Sequence, residues 1–568
     1  MSAFEHREVR MVVALIEDLE LPHPSIPLLV SFVMEAVDPV FAANYIRDRL
    51  SSGEARAAVD DWVYIVRCMS ENGVPPPSPD DSARSAISRR DGGKCCITGK
   101  PGTFSDPLVV VPILPCPSGW VTDQERIVNM LGAFFGGGYR DWWLFVAQHP
   151  QQVPPNCNHW LVRKSAARAF AKGLVRLDRM QRSMVEYQVN QVFIGPGRPI
   201  EVQGCCALLG DHSRTGIEKV DPRFVGTHAR LCSSVQYIEL AKEIASEILS
   251  ESSQPSGRRP TWHIKPYAWK CAAFLSQLLP TRMFLSIWLL FPQKLRIAAY
   301  DVLIKAGKRM YGMYGIPDGT PGTYKLPFGL YVRYAGPIAT CRNEFNALQL
   351  VHRHISIPAP KALDLVVKKS GTSGESERDH AYLITTRLPG QPLAYCQDLL
   401  SDADCKRIAT QMQDYLAQLR TIPKTVNPDM AICNTLGEAC RDPRLRGWEP
   451  MGPFPDEAAF SAMMRFPDDP ARRGHKIVFT HADLNPRNIL VDRVVQPDGS
   501  LGWQVTGIVD WETAGYYPEY WDYTKALYEG FRWTRRYTRL VKEIFSALGD
   551  YSKELHVETE SWAMADGV

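Results

Sequence analysis

Asp483 stands five residues before Asn488, inside the stretch Phe479, Thr480, His481, Ala482, Asp483, Leu484, Asn485, Pro486, Arg487, Asn488. A second aspartate, Asp510, follows in Gly507, Ile508, Val509, Asp510, Trp511, Glu512. One carboxylate can accept the hydrogen of an attacking hydroxyl. A side-chain amide and another carboxylate can hold the Mg2+ that bridges nucleotide phosphates. These are the parts that γ-phosphoryl transfer needs, in the order it needs them. A lone His-x-Asp is more often a turn, and a lone aspartate after a strand more often a cap. The information lies in the ordered set.

Apolar runs must position that set. Residues 489–491 and 505–509 read as short buried strands, and Gln496, Pro497, Asp498 and Gly499 between them signal a turn. The hairpin would carry Asn488 at one end and return Asp510 beside it.

At these residues the chain resembles the aminoglycoside phosphotransferase and choline kinase superfamily, which has the protein-kinase fold. The longer string over residues 508–523 resembles the fungal branch of that family. The resemblance extends over roughly residues 275–550. It implies Asp483 as catalytic base, Asn488 and Asp510 as Mg2+ ligands, His481 as a scaffold for the loop, and Glu512 as a structural hydrogen-bonding group before a metal ligand. Kinases of this kind also place a strand cation on the ATP phosphates, paired to a helix glutamate. Residues 326–333 read as that strand, with Arg333 where the family pattern has lysine. Residues 342–351 read as the helix, carrying Glu344 and setting Phe345, Leu348 and Val351 on one face. Arginine keeps the charge but offers a planar fork in place of a compact ammonium.

Residues 381–386 read as a strand leading into the hinge, where the resemblance puts adenine against Thr386, Arg387 and Leu388. The run from Asp402 to Ile422 has helical spacing, with Ile408, Met412, Tyr415, Leu416 and Leu419 as a core stripe. The phosphate-covering loop is the departure. Tyr314 to Gly322 is glycine-rich but is no GxGxxG, and Pro317 and Pro321 remove two backbone donors that could face phosphate. That leaves open a pseudokinase that binds a ligand or partner through the same cleft. Acceptor groups in the resembled family come from variable C-terminal helices, here around 447–466 and 519–536, so the acceptor stays unnamed.

With 568 residues, the chain exceeds a single core, and two or three domains are expected. A 45% hydrophobic, 22% charged composition is that of an ordinary globular protein. A net charge of +3 announces neither a nucleic-acid nor an anionic-membrane partner. The 14 cysteines are scattered, including the adjacent pairs Cys95–Cys96 and Cys205–Cys206, and suggest neither zinc nor a secreted disulfide framework. The N-terminal residues lack a signal-peptide pattern, so a reducing, cytoplasmic setting is expected. The apolar segment 272–291 is interrupted by Gln277, Pro280 and Arg282. It falls short of the ~20 residues of a membrane span, and a buried helix docking on the kinase lobe is expected instead. Ser250 to Pro260 reads as a linker.

In the first half, residues 1–75 show helical spacing, as in Val9, Val12, Val13 and Ile16, and end at a proline-rich boundary. Arg89 to Gly99, with Cys95 and Cys96, resembles the opening of fungal HNH-type nuclease domains, and Asn158 to Gly173 their closing segment. The resemblance departs where chemistry would reside. No histidine follows the Cys-Cys hairpin within 106–115, and Ala167 stands where the last one belongs. Metal-assisted phosphodiester cleavage needs metal ligands and a water-activating base, so a scaffold without nuclease activity is expected. Arg163, Lys164, Arg168, Lys172, Arg176, Arg179 and Arg182 concentrate positive charge there and read as a solvated face.

The expectation is therefore an α+β chain. A helical region (1–75) precedes a degenerate HNH-like mixed domain (76–225), linker and docking helices (226–305) and a two-lobed kinase-like domain (306–555). The expected function is ATP- and Mg2+-dependent phosphorylation of a small-molecule hydroxyl, with no nucleic-acid partner.

Overall fold

The computed structural model describes residues 6–117, 125–252 apart from 182, 184, 198 and 205, and 286–564 apart from 312–321, 335–336, 369–379, 446–448, 497–499 and 529–532. The glycine-rich loop, the segment 370–379, most of the 250–260 linker and the 497–499 tip of the expected hairpin lie outside these residues. The chain divides into two compact units, residues 1–252 and 253–568.

The first unit opens with four helices, α1 (Arg7–Glu17), α2 (Ser25–Glu35), α3 (Pro39–Ser51) and α4 (Ala55–Cys68). Val9, Val12, Val13 and Ile16 are the buried face of α1, as their spacing requires. The helix α5 (Asp81–Arg90) leads to β1 (Leu108–Pro112); α6 (Glu125–Phe135), α7 (Gly137–Gln148), β2 (His159–Arg163) and α8 (Lys164–Ala171) follow. β1 and β2 pair antiparallel, Leu108 opposite Arg163. A second sheet joins β3 (Val175–Arg179), β4 (Glu186–Gln191) and β5 (Cys206–Leu208). Residues 226–252, expected within a stretch of linker and docking helices, form most of α9 (Pro222–Ser252). Its Ser234 bonds Ser31 and Trp62, and its Gln236 bonds the Gly173 carbonyl, so the helix is part of this unit's core.

The Arg89–Gly99 motif turns out to organise that core. Arg90, 1% exposed, donates to both oxygens of Asp91 and to the carbonyls of Asn156 and His159. Asp91 in turn accepts from the Leu161 N–H at 2.8 Å. A buried charge paired and hydrogen-bonded at every face is a tolerable one. Asn158 clamps Leu114, donating to its carbonyl at 2.8 Å and accepting from its N–H at 3.2 Å. His159 Nδ1 bonds the Pro155 carbonyl at 3.0 Å. Within the expected basic face, Arg163 pairs with Asp106, and Arg176 with Glu35 and Asp178.

The second unit begins, among described residues, at 286. Trp288 bonds Tyr300 on α10 (Gln293–Tyr311), but Ile287 and Leu290 are exposed. This described end of the apolar segment is therefore only partly the buried docking helix expected, because a single side chain reaches the core. Four strands, β6 (Thr323–Leu326), β7 (Leu330–Tyr334), β8 (Ala362–Lys368) and β9 (His380–Thr386), form an antiparallel sheet in the order β6-β7-β9-β8. The helix α11 (Ile338–His354) connects β7 to β8. Residues 326–333, expected as one strand, are a hairpin corner followed by β7. Phe328 at φ 64° turns the chain there.

A helical lobe follows. It contains β10 (Gln391–Pro392), α12 (Asp402–Leu419), β11 (Cys433–Asn434), β12 (Ile477–Thr480), β13 (Ile489–Val495), β14 (Leu501–Ile508), β15 (Gly515–Pro518), α13 (Trp521–Leu527), α14 (Arg535–Ser546) and α15 (Ser552–Met564). α12 starts on a reciprocal Ser401–Asp404 capping box and buries Ile408, Met412, Leu416 and Leu419. Among described residues, no helix is long and apolar enough to cross a membrane.

In this lobe His475 lies between two carboxylates, Nδ1 2.6 Å from Glu457 and Nε2 3.1 Å from Glu554. Burial alone would lower its pKa, but the bonds to Glu457 and Glu554 outweigh it and lift it to about 9. A histidine pKa above its unfolded value of about 6.5 gives stability that is full below that pH and lost as pH rises through the folded pKa. Denaturant unfolding of the wild type and His475→Gln is expected to differ most on the acid side of neutrality and to converge above pH 9. A gap that does not change with pH contradicts the assignment.

Candidate functional site

Asp483 lies in the loop between β12 and β13, and Asn488 ends that loop. The Asn488 amide donates to the Asp483 backbone carbonyl at 2.8 Å and to its carboxylate Oδ2 at 2.9 Å. Asn485 adds a bond to Oδ1 at 3.2 Å. β13 and β14 pair antiparallel from Ile489 opposite Ile508, and the Val509 N–H donates to the Asn488 carbonyl at 2.9 Å. The hairpin therefore sets Asp510 beside Asn488, as the apolar spacing implied.

His481 is buried and holds the loop. Its Nδ1 accepts from the Asp483 N–H at 3.2 Å, and its Nε2 donates to the Val509 carbonyl at 2.9 Å. One ring thus ties the Asp483 segment to the Asp510 segment. Ala482 has φ 61°, an uncommon conformation for a residue with a Cβ. Asp522 on α13 holds it, accepting from the Ala482 N–H at 2.7 Å and the His481 N–H at 3.2 Å.

Arg333 on β7 reaches Glu344 on α11 at 2.8 Å, Asp510 at 3.0 Å and Glu512 at 2.6 Å. The expected Arg333–Glu344 pair is present, and the planar fork also gathers two carboxylates from the Asp510 segment. Burial alone would lower the Arg333 pKa; the three carboxylates outweigh it and raise it. Burial, with Asp510 beside it, pushes Glu512 up to about 8, and burial also raises Glu344 and Asp483. Asn343, next to Glu344, locks the helix to this segment by donating to the Glu512 and Ala514 carbonyls.

The carboxylate excess suits a divalent cation. Among described residues no three His, Cys, Asp or Glu side chains form a metal cluster. Mg2+ in a nucleotide site needs only one or two protein ligands beside phosphates. Asp510, and the carbonyl oxygen of Asn488, whose amide nitrogen is engaged by Asp483, are oxygen donors of the right kind.

The hinge differs in detail from expectation. The Thr386 N–H donates to the Lys361 carbonyl and the Arg387 N–H to the Gly329 carbonyl, both inside the protein. Those two backbone donors are therefore not available to adenine: Lys361, just before β8, takes one, and Gly329, in the β6–β7 corner, takes the other. The Leu388 N–H has no backbone partner among described residues. Its side chain packs over Gly507, where a Cβ would come within 2.5 Å of Leu388 and 3.2 Å of Leu490. The absence of a side chain at 507 brings these two leucines together as an apolar shelf.

The sequence reading gave no role to Asp522 or Lys525. Lys525 Nζ lies 3.2 Å from Asp483 Oδ1. Both sit one helical turn apart, directly after the Pro518 that ends β15, and that spacing was the available signal.

Residues 332–555 match the family model described as the phosphotransferase enzyme family. Among solved structures, the chain is similar to the GDP complex of aminoglycoside 2'-phosphotransferase-IIIa, at 14% identity and a TM-score of 0.30, covering 41% of this chain and 75% of that one. It is likewise similar to aminoglycoside phosphotransferase APH(4)-Ia, at 14% identity and a TM-score of 0.28, covering 41% and 77%. A search of curated proteins found no match. Residues 332–555 of the second unit are thus similar to a phosphotransferase family domain, and the described residues mix helix and sheet.

Proposed function

We propose that this protein is an ATP- and Mg2+-dependent kinase of a small-molecule hydroxyl. The observation that carries the reading is the ordered convergence of Asp483, Asn488 and Asp510 on one hairpin, with the Arg333–Glu344 pair reaching Asp510. Asp483 is the base for the acceptor hydroxyl. Asn488 and Asp510 would hold Mg2+, which neutralises phosphate charge when bound. Arg333 and Glu344 face the nucleotide, and Leu388 meets the base. Positioning and charge neutralisation then do most of the work. Mg-ATP is expected to raise the melting temperature, and one member of a panel of hydroxyl-bearing metabolites to stimulate ADP release. Neither effect, with folded protein, sinks the reading.

A pseudokinase is the second reading, and one observation favours it. The Arg333 guanidinium already satisfies three carboxylates, so the cation meant for phosphate is engaged within the protein. Mg-ATP stabilisation without ADP release from any acceptor would select it. Supporting either reading's soluble, cytoplasmic setting is only the ordinary composition.

For the first unit we propose a nuclease-like scaffold without nuclease chemistry. Support comes from the β1–β2–α8 arrangement, with Asn158 clamping Leu114 and Ala167 in place of a histidine. The full chain is expected to leave DNA and RNA uncut with Mg2+, Mn2+ or Zn2+. Metal-dependent cleavage lost in Asn158→Ala overturns it.

A further inference from the structure

Asp483 is held on both carboxylate oxygens. Oδ2 accepts from Asn488 within its own loop, while Oδ1 lies 3.2 Å from the Lys525 ammonium, delivered from α13. The lysine is only 5% exposed, an uncommon environment for an ammonium without a purpose or a partner. Its second partner is Asp442 Oδ1 at 3.9 Å, and the Tyr528 ring faces it at 5.4 Å. Asp442 is itself fixed, accepting from Arg444 at 2.9 Å and from the Trp521 indole at 3.0 Å. Arg444 stacks 4.0 Å over Trp521 and pairs with Glu558 on α15 at 3.2 Å. Lys525 therefore ends a buried chain of alternating charges that terminates on the base.

The spacing on α13 sharpens this. Asp522 fixes the loop backbone at His481 and Ala482, and Lys525, one turn later, fixes the loop's carboxylate. One helical turn thus sets both where Asp483 sits and how its carboxylate is turned.

We propose that Lys525 is a positioning residue for the transfer step, locking the Asp483 carboxylate against rotation so that it meets the acceptor hydroxyl in one orientation. The inference rests on the kinase reading above and adds a residue from outside the catalytic loop. It predicts a defect in turnover and not in nucleotide binding, because Lys525 bonds the base and not the Asn488–Asp510 side of the site.

The test uses the full chain and reads ADP release from Mg-ATP, with water and then with hydroxyl-bearing metabolites as acceptor. Mg-ADP affinity is measured by calorimetry. Lys525→Met is expected to lower kcat by about 10²-fold, the cost of a misoriented reacting group, with KM for ATP and Mg-ADP affinity within about twofold of wild type. Lys525→Arg, which keeps the charge, is expected to recover most of that loss. If Lys525→Met does not fold, Lys525→Gln is read by the same criteria. Unchanged kcat in the neutral variant, or a kcat loss matched by an equal loss of Mg-ADP affinity, overturns the inference while leaving the kinase reading intact. A folded wild type that binds Mg-ADP but never releases ADP from ATP overturns both.

Discussion

Asp483→Asn is expected to lower phosphoryl transfer by about 10²–10⁴-fold, the range that general base catalysis contributes, with Mg-ADP affinity nearly unchanged. The amide is isosteric and fills the same space, but its single oxygen can accept from only one of Asn488 and Lys525, at 2.9 and 3.2 Å in the wild type, and its NH2 turns toward the other. What it loses is the capacity to take the hydroxyl proton. Asp510→Ala is expected to behave oppositely, weakening Mg-ATP binding, since it removes an oxygen donor for the cation. Purified variants, with contaminating kinases excluded by a mock preparation, decide the matter. Equal turnover in wild type and Asp483→Asn removes Asp483 from catalysis.

Arg333→Ala is expected to damage both stability and nucleotide binding. The side chain is 22% exposed and is the common partner of Glu344, Asp510 and Glu512. Removing it leaves a cluster of carboxylates facing one another. The loss is expected to be about 3 kcal/mol, the low end for breaking a buried pair, because Glu512, already lifted to about 8, can take up a proton instead. Urea unfolding reads this as a lower midpoint at unchanged m. Arg333→Lys restores the bond to Glu344 but cannot reach three carboxylates with one ammonium, so it should fall between the two while retaining turnover. Wild-type stability and unchanged Mg-ADP affinity in Arg333→Ala would make Arg333 a surface residue.

The parts of this site visible in the sequence are those separated by a few residues or by a recognisable strand. Asp483 and Asn488 share one loop, and the apolar runs before Asp510 could pair only as a hairpin. Glu344 was legible because its helix shows a continuous apolar face. The corner at Pro327–Gly329 was not, since Phe328 takes its left-handed conformation without glycine to signal it. Nor was the engagement of the Arg387 N–H by Gly329, a tertiary bond with no local pattern. Lys525 reaches Asp483 across the whole β13–β15 segment. Arg90 was legible only as part of the Arg89–Gly99 motif, and the fold reveals it buried against Asp91 and three backbone carbonyls.

The ion pairs around Arg333 also bear on the order in which the second unit assembles. Arg333 and Glu344 are 11 residues apart, whereas Arg333 and Asp510 are separated by 177 and Arg444 and Glu558 by 114. Loop-closure entropy sets in before such distant contacts reward it. The local Arg333–Glu344 pair can form early, on β7 and α11, as a simple salt bridge. It becomes part of a nucleotide site only when residues made much later close over it. A nascent chain halted before residue 510 would thus carry the Arg333–Glu344 strand and helix without the Asp510 and Glu512 carboxylates that complete the cluster, and the site is assembled as one of the final events of folding.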